Sequence, residues 1–297
     1  MAHRITRIVA IAGLTCLAAA AQAQTTPAPK PPPAAPGAVQ LRDGVYWIKG
    51  GAGANTGFVI GKKEVVVIDA KMTEEAAKAM LAEIGKHTPN PVKHIVLTHS
   101  DGDHVNGLSG FPKGLPILAH ANTRKDMEEA FKSPKMTALV PYLPTETFPG
   151  NRRLNIAGAR LDLLYFGPAH TSGDLVVLIP SQKIAFIGDL AFTGRDPLIH
   201  RQKGGNSFGL VQVLKKILAL KADTFISGHS DPLKKADIQA LVTSIEEKQA
   251  KVKALVQQGK SLDEIKTAFG IAGAPGQPAP RFPSFLEVIY LELTEKK

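Results

Sequence analysis

An apolar run, His94–Thr98, leads straight into His99-Ser100-Asp101-Gly102-Asp103-His104, which places four imidazole or carboxylate side chains within six residues. Three more follow singly, each just past an apolar, strand-like run: His170 after Leu161–Phe166, Asp189 after Ile184–Ile187 and His229 after Thr224–Ser227. Strand ends are rigid, so sheets presenting these groups can hold them in fixed geometry with positions left open for water. Imidazole and carboxylate suit zinc, iron or manganese, and the single cysteine, Cys16, leaves no thiolate set as an alternative. One such histidine or aspartate alone would read as a cap or a solvated turn residue. Their recurrence after successive apolar strands points to a metal centre.

The chain around them reads as sheets covered by helices. Val45–Ile48, Gly57–Ile60 and Val65–Ile68 are short β-branched runs between glycine-bearing turns, the pattern of a meander. Thr73 is placed to cap a helix reaching Ile84, with Glu74 and Glu75 in the first turn where the helix dipole favours acids. Ile117–Ala119 and Leu175–Ile179 read as further strands, Asn122–Phe131 and Leu210–Leu220 as helices. The C-terminal part reads as helical over Ala236–Gln258, Ser261–Phe269 and Ser284–Leu293, the last two opened by Ser-x-x-Glu capping boxes. Two groups of strands, each followed by helices, predict an α/β fold, a four-layer αββα sandwich.

Composition bounds the setting. A 44% hydrophobic content over 297 residues suits a packed core. No apolar run reaches the roughly 18 residues a spanning helix needs, so no stable membrane insertion is expected. Lys and Arg number 36 against 26 Asp and Glu, a net charge of +10, but the basic residues are scattered and no nucleic-acid-binding arm is expected. Arg4 and Arg7 precede the apolar stretch Ile8–Ala21, and Ala21-Gln22-Ala23 offers small residues for cleavage. Residues 1–23 thus read as a signal peptide, making the mature protein periplasmic or secreted. Residues 24–37 hold six prolines and little to bury, a flexible tether. Residues 38–297 read as one domain.

In order along the chain, His99-x-Asp101-x-Asp103-His104, Gly167-Pro168-Ala169-His170-Thr171, Gly188-Asp189 and Gly228-His229 resemble the motifs of the metallo-β-lactamase superfamily. The resemblance runs from about Val45 to Asp231, and Asp69 ends an early strand where that family also has an aspartate. It implies two divalent metal ions, most simply zinc. His99 and His170 would bind one, Asp103, His104 and His229 the other, with Asp189 between them. The family's first motif is usually His-x-His-x-Asp-His, so Asp101 is a departure. Either Asp101 binds through oxygen and the site stays dinuclear, or it fails to reach and the first position is weak. A carboxylate in place of a neutral imidazole removes one net positive charge and admits iron or manganese beside zinc; the related flavodiiron proteins carry a glutamate there.

The resemblance implies a secreted metal-dependent hydrolase that cleaves an ester, lactone or amide bond, a β-lactam among them, by a metal-bridged hydroxide, with Asp103 orienting the nucleophile and accepting its proton. The alternatives are an iron oxidoreductase on the same fold and a non-catalytic periplasmic metal-binding protein. The expected partner is a small-molecule substrate. His120 reads as a packed or capping histidine, His87 and His94 as solvated, and Trp47 as core. Arg195, His200 and Lys203, in the loop after Asp189, either meet an anionic substrate or are bare surface. The stretch Ser133–Gly150, with four prolines and Tyr142, reads as a lid or a connector.

Overall fold

The computed structural model describes Met1 and residues 37–156, 158–271 and 282–295. The signal segment 1–23 and the tether 24–37 therefore lie outside the described residues, save for Met1 and Gly37. The first sheet keeps its strands in chain order: β1 (Ala38–Arg42), β2 (Val45–Ile48), β3 (Thr56–Ile60), β4 (Val65–Ile68), β5 (Val92–Val96), β6 (Ile117–His120) and β7 (Glu146–Phe148). β1 to β4 pair antiparallel across short turns. From β4 onward the pairs are parallel, because each return now passes through a helical crossover. Those crossovers carry α1 (Glu74–Gly85), α2 (Gly102–Val105) and α3 (Ala121–Ala130).

The second sheet contains β8 (Arg152–Ile156), β9 (Ala159–Tyr165), β10 (Leu175–Ile179), β11 (Ile184–Gly188) and β12 (Thr224–Ser227), in the order β12-β11-β10-β9-β8. It is antiparallel except for β11 and β12, which run parallel across α4 (Ser207–Leu218). The chain ends in α5 (Lys235–Gln257), α6 (Leu262–Ala268) and α7 (Phe285–Thr294).

Side-chain alternation along fully buried strands produces the layers. In β4, Val66 and Ile68 face the second sheet and pack with Leu161, Leu163 and Val177. Val65 and Val67 face the other way, against Ala77, Met80 and Ile84 of α1. In β10, Val177 and Ile179 point between the sheets, whereas Val176 and Leu178 pack toward Leu210, Leu214, Ile238 and Val288 of the outer helices. Helix, sheet, sheet and helix follow one another, as the strand groups predict. The sheets approach closely at Gly57 of β3, where a Cβ would lie 2.1 Å from the Phe186 ring of β11.

Local signals hold where they are strong. Thr73 caps α1 by accepting from Ala76 N at 3.2 Å, and Trp47 is buried between the sheets. Ser261 and Glu264 complete a capping box on α6, but Ser284 opens α7 with only its own half, accepting from Glu287 N. His120 both caps and packs: its Nδ1 accepts from Asn122 N at 3.2 Å, and its ring stacks 3.9 Å from that of Tyr165. His87 is exposed but leans on Tyr46 and Glu83, and His94 is half-buried within β5. The stretch 133–150 is a packed connector, with Leu139 and Tyr142 buried in a 3₁₀ turn that leads into β7.

Candidate metal centre and cleft

The site forms where the strand ends of both sheets meet. β4 ends at Asp69, whose left-handed backbone (φ 62) turns the carboxylate back beneath the next strand end. Its Oδ1 accepts from Thr98 N and its Oδ2 from Thr98 Oγ1, each at 2.8 Å. The same Oδ2 lies 2.8 Å from His104 Nδ1. β5 leads through Thr98 to His99, and the short α2 then carries Asp103 and His104. Asp101 occupies the N-cap position of α2 but makes no cap hydrogen bond; its carboxylate is turned toward the histidines instead.

Three histidines are oriented by the ring nitrogen that faces away from the site. His99 Nδ1 is 3.0 Å from Thr98 Oγ1, His104 Nδ1 meets Asp69, and His170 Nδ1 is 2.7 Å from Leu198 O. Such outward partners fix tautomer and ring plane and leave Nε2 as the ligand atom. The Nε2 atoms converge on Asp189, at the end of β11. Asp189 Oδ1 is 3.1 Å from His104 Nε2, and Oδ2 is 3.3 Å from His229, 3.9 Å from His99 and 4.0 Å from His170. Asp101 Oδ2 is 3.2 Å from His170 Nε2 and 3.8 Å from His99 Nε2, and Asp103 Oδ2 is 3.1 Å from His229 Nε2.

These residues form two groups able to hold an ion, His99–Asp101–His170–Asp189 and Asp103–His104–His229. Atoms sharing one tetrahedral zinc lie roughly 3.3–3.6 Å apart, given metal–ligand distances of about 2.0–2.2 Å, and the spacings above straddle that range. His99 Nε2, His104 Nε2 and Asp189 Oδ1 are buried without a hydrogen-bond partner, the last two close together but misaligned. Buried polar atoms are mostly satisfied in folded proteins. Among the described residues three other orphans, Trp47 Nε1, His94 Nδ1 and His120 Nε2, lie outside these groups, whereas the three within them sit among carboxylate and imidazole donors, so the residues fit bound metal. All seven residues that the sequence singles out are brought together.

Electrostatics agree. Burial pushes the Asp189 carboxyl up, but His104 and His229 beside it hold it well below the ordinary range. Burial pushes His170 down, yet the Asp101 hydrogen bond and the charge of Asp189 raise it to about 9. Hydrogen bonds donated to Asp103 and Asp189 raise His229 to about 9 against a smaller burial effect. Without an ion, the carboxylates hold protons on His104, His170 and His229; a bound cation takes the place of those protons.

Close packing and a missed lysine complete the floor. A Cβ on Gly228 would lie 2.0 Å from Asp189 Oδ1 and 2.8 Å from His104 Cε1, so only glycine admits this approach. Lys71, buried and without any sequence signal, donates to Gly50 O at 2.6 Å and Ala54 O at 2.8 Å. It thereby holds the loop whose Ala54 N donates to Asp103 O. Above this floor opens a cleft of about 710 Å³, whose walls include the apolar Phe131, Met136, Leu198 and Phe282 and the polar Asp103, Arg195 and His229.

The sequence model of the metallo-beta-lactamase superfamily matches residues 50–229, more than half of the chain and the whole span from the first glycine loop to His229. The chain belongs to that superfamily. Among relatives within and around it, the chain is 26% identical over 183 residues to the alpha subunit of a 2,4-dinitroanisole O-demethylase from Nocardioides sp., covering 61% of this chain and 53% of that one. It is 26% identical over 181 residues to a metallo-beta-lactamase of Chryseobacterium indologenes, covering 60% of this chain and 72% of the other. The structure of a stereoselective inverting sec-alkylsulfatase from Pseudomonas sp. superposes with a TM-score of 0.70 at 15% identity, over 87% of this chain and 50% of the sulfatase. The chain thus spans about half the length of the demethylase subunit and of the sulfatase. The superfamily match ends at His229, so α5, α6 and α7 lie beyond it, and Phe282, just before α7, is a cleft residue from outside the matched region.

Proposed function

We propose that the protein is a metal-dependent hydrolase of small molecules. It holds two divalent ions, zinc in the first place, one on His99, Asp101, His170 and Asp189 and the other on Asp103, His104 and His229, with Asp189 shared. The observation that carries this reading is the set of buried, partnerless atoms, His99 Nε2, His104 Nε2 and Asp189 Oδ1, on the floor of an open cleft. When bound, such ions polarise the scissile group and supply a nucleophile at neutral pH. Asp103 is half-buried at the cleft and, held by His229, is placed to orient water and accept its proton.

The walls support a substrate class. Phe131, Met136, Leu198 and Phe282 suit an apolar group on a substrate with an ester, lactone or amide bond. Arg195 lies 4.1 Å over the Phe192 ring and, among the described residues, faces no carboxylate, which suits an anionic group on the same substrate. A β-lactam carries both kinds of group, and relatives that are named as a metallo-beta-lactamase and a sulfatase support hydrolysis in general. Residues 1–23 are proposed to export the chain to the periplasm or beyond.

Metal content of the purified protein, followed by turnover of a chromogenic β-lactam and a panel of aryl esters and lactones, tests the reading. Bound metal and chelator-sensitive hydrolysis are expected. A chain that takes up no zinc, iron or manganese would overturn it, and iron with oxygen consumption but no hydrolysis would favour the oxidoreductase.

A further inference from the structure

We propose that Lys203 and His200 are the positioning residues of Asp101, holding in place the carboxylate that stands where the family has an imidazole. This rests on the metal-dependent reading above. Asp101 Oδ1 accepts from Lys203 Nζ at 2.8 Å, and Oδ2 accepts from His200 Nε2 at 2.7 Å while facing His170 Nε2 at 3.2 Å. One oxygen is thus tied back and the other is aimed at the histidines.

Neither partner is free for other work. Lys203 Nζ also donates to Ser100 O at 3.2 Å and to Ser100 Oγ at 3.1 Å, so its ammonium is spent on residues 100 and 101 and not held out to a substrate. His200 Nδ1 is 3.1 Å from Gln202 Nε2, which leaves Nε2–H to point at Asp101. His200 N donates to His170 O at 2.8 Å, locking this loop to the neighbouring candidate ligand. From behind, Arg201 pairs with Glu295 just past α7 at 2.5 Å, and Ser207 N at the start of α4 donates to Glu292 of α7 at 2.9 Å, so the end of α7 braces the loop and the helix that follows it.

The three residues make sense only as a unit. A carboxylate needs these two donors to be held, and a histidine at 101 would face an ammonium and an N–H donor with nothing to accept from them. The carboxylate and its two donors therefore belong together, and Lys203→Met must act differently in the two contexts.

The test is a double-mutant cycle on the full chain, made of the wild type, Lys203→Met, Asp101→His and the double variant, read by zinc affinity in chelator competition and by the Tm of the metal-free proteins. In the wild-type background Lys203→Met should weaken zinc binding by about ten- to a hundredfold, the range for a lost partner of a ligand. In the Asp101→His background it should leave binding unchanged or strengthen it, and should raise the metal-free Tm. A loss of equal size in both backgrounds, or no loss in the first, overturns the inference while the metal-dependent reading stands. A wild-type chain that binds no zinc overturns both.

Discussion

Asp69 Oδ2 lies 2.8 Å from His104 Nδ1, although 35 residues separate them, and this contact sets which nitrogen of His104 carries the proton. With Nδ1–H donated to the carboxylate, Nε2 is the nitrogen left to exchange its proton for an ion at the site. Asp69→Asn keeps the shape, and asparagine tolerates the left-handed backbone at this position. Its Oδ1 can still accept from Thr98 N, which turns the amide NH₂ toward His104 and reverses the tautomer. Zinc affinity should fall by about ten- to a hundredfold, with little change in far-UV circular dichroism. Unchanged affinity would show that the contact does not orient a ligand.

Gly228 offers a steric test of the same floor. Its backbone is pinned from both sides, Gly228 N donating to Gly188 O at 2.8 Å and Asn55 N to Gly228 O at 2.7 Å, so an added methyl cannot swing away. Gly228→Ala should displace Asp189 and His104, abolish most metal uptake and cost about 1–3 kcal/mol of metal-free stability by overpacking. Gly150→Ala, where nothing lies within 4 Å of the new Cβ, is the control and should change neither. Full metal uptake by Gly228→Ala would mean that the floor is looser than its geometry.

Much of this site is legible in the sequence because its residues follow short, β-branched strands that announce themselves, as His99 follows β5 and Asp189 follows β11. Fully buried strands such as Val65–Ile68 are equally plain. The edge strand β8, Arg-Arg-Leu-Asn-Ile, is not: its arginines pair with Glu146 and Asp162 on the surface, so no apolar alternation marks it. Lys203 and His200 meet Asp101 across about a hundred residues of chain, and a lysine in a glycine-bearing loop has no local pattern to betray that. Lys71 is hidden for the same reason, its acceptors being backbone carbonyls that any sequence supplies.

Stability at low pH should depend on Glu83. Its Oε1 accepts from Ala38 N at 3.0 Å, tying the first strand to α1, and Lys86 pairs with Oε2 at 2.6 Å. The Ala38 hydrogen bond, then Lys86, hold the Glu83 carboxyl down at about 2. The unfolded chain takes up its proton first on acidification, so this stabilisation is complete above about pH 4.5 and is lost as pH falls through about 2. Glu83→Gln should cost about 1–3 kcal/mol at pH 7, and the two Tm curves should converge between pH 4.5 and 2. Parallel curves across that window would remove the charge from the explanation.

Export has a direct readout. With cleavage after Ala23, intact-mass measurement of periplasmic material should find a chain beginning at Gln24. Recovery of full-length protein from the membrane fraction would replace the signal peptide with an anchor.

His229 and His120 should respond to truncation in different ways. His229 stands at the cleft mouth with 30% of its side chain exposed, and its Nε2 faces Asp103 at 3.1 Å and Asp189 at 3.3 Å. His229→Ala removes one neutral ligand from an open position, so it should lose most of one metal equivalent and most of the hydrolysis; without an ion it also loses its pairs with Asp103 and Asp189, so the metal-free Tm should fall as well. His120 lies outside the ligand groups, at the end of β6. His120→Ala removes the cap of α3 and the stack on Tyr165, so it should cost about 1–2 kcal/mol of stability and leave metal content at the wild-type value. Metals per chain, measured on both variants, separate the two if the roles are as assigned. Should both variants lose metal equally, or neither, the division between ligand and structural histidine would fail.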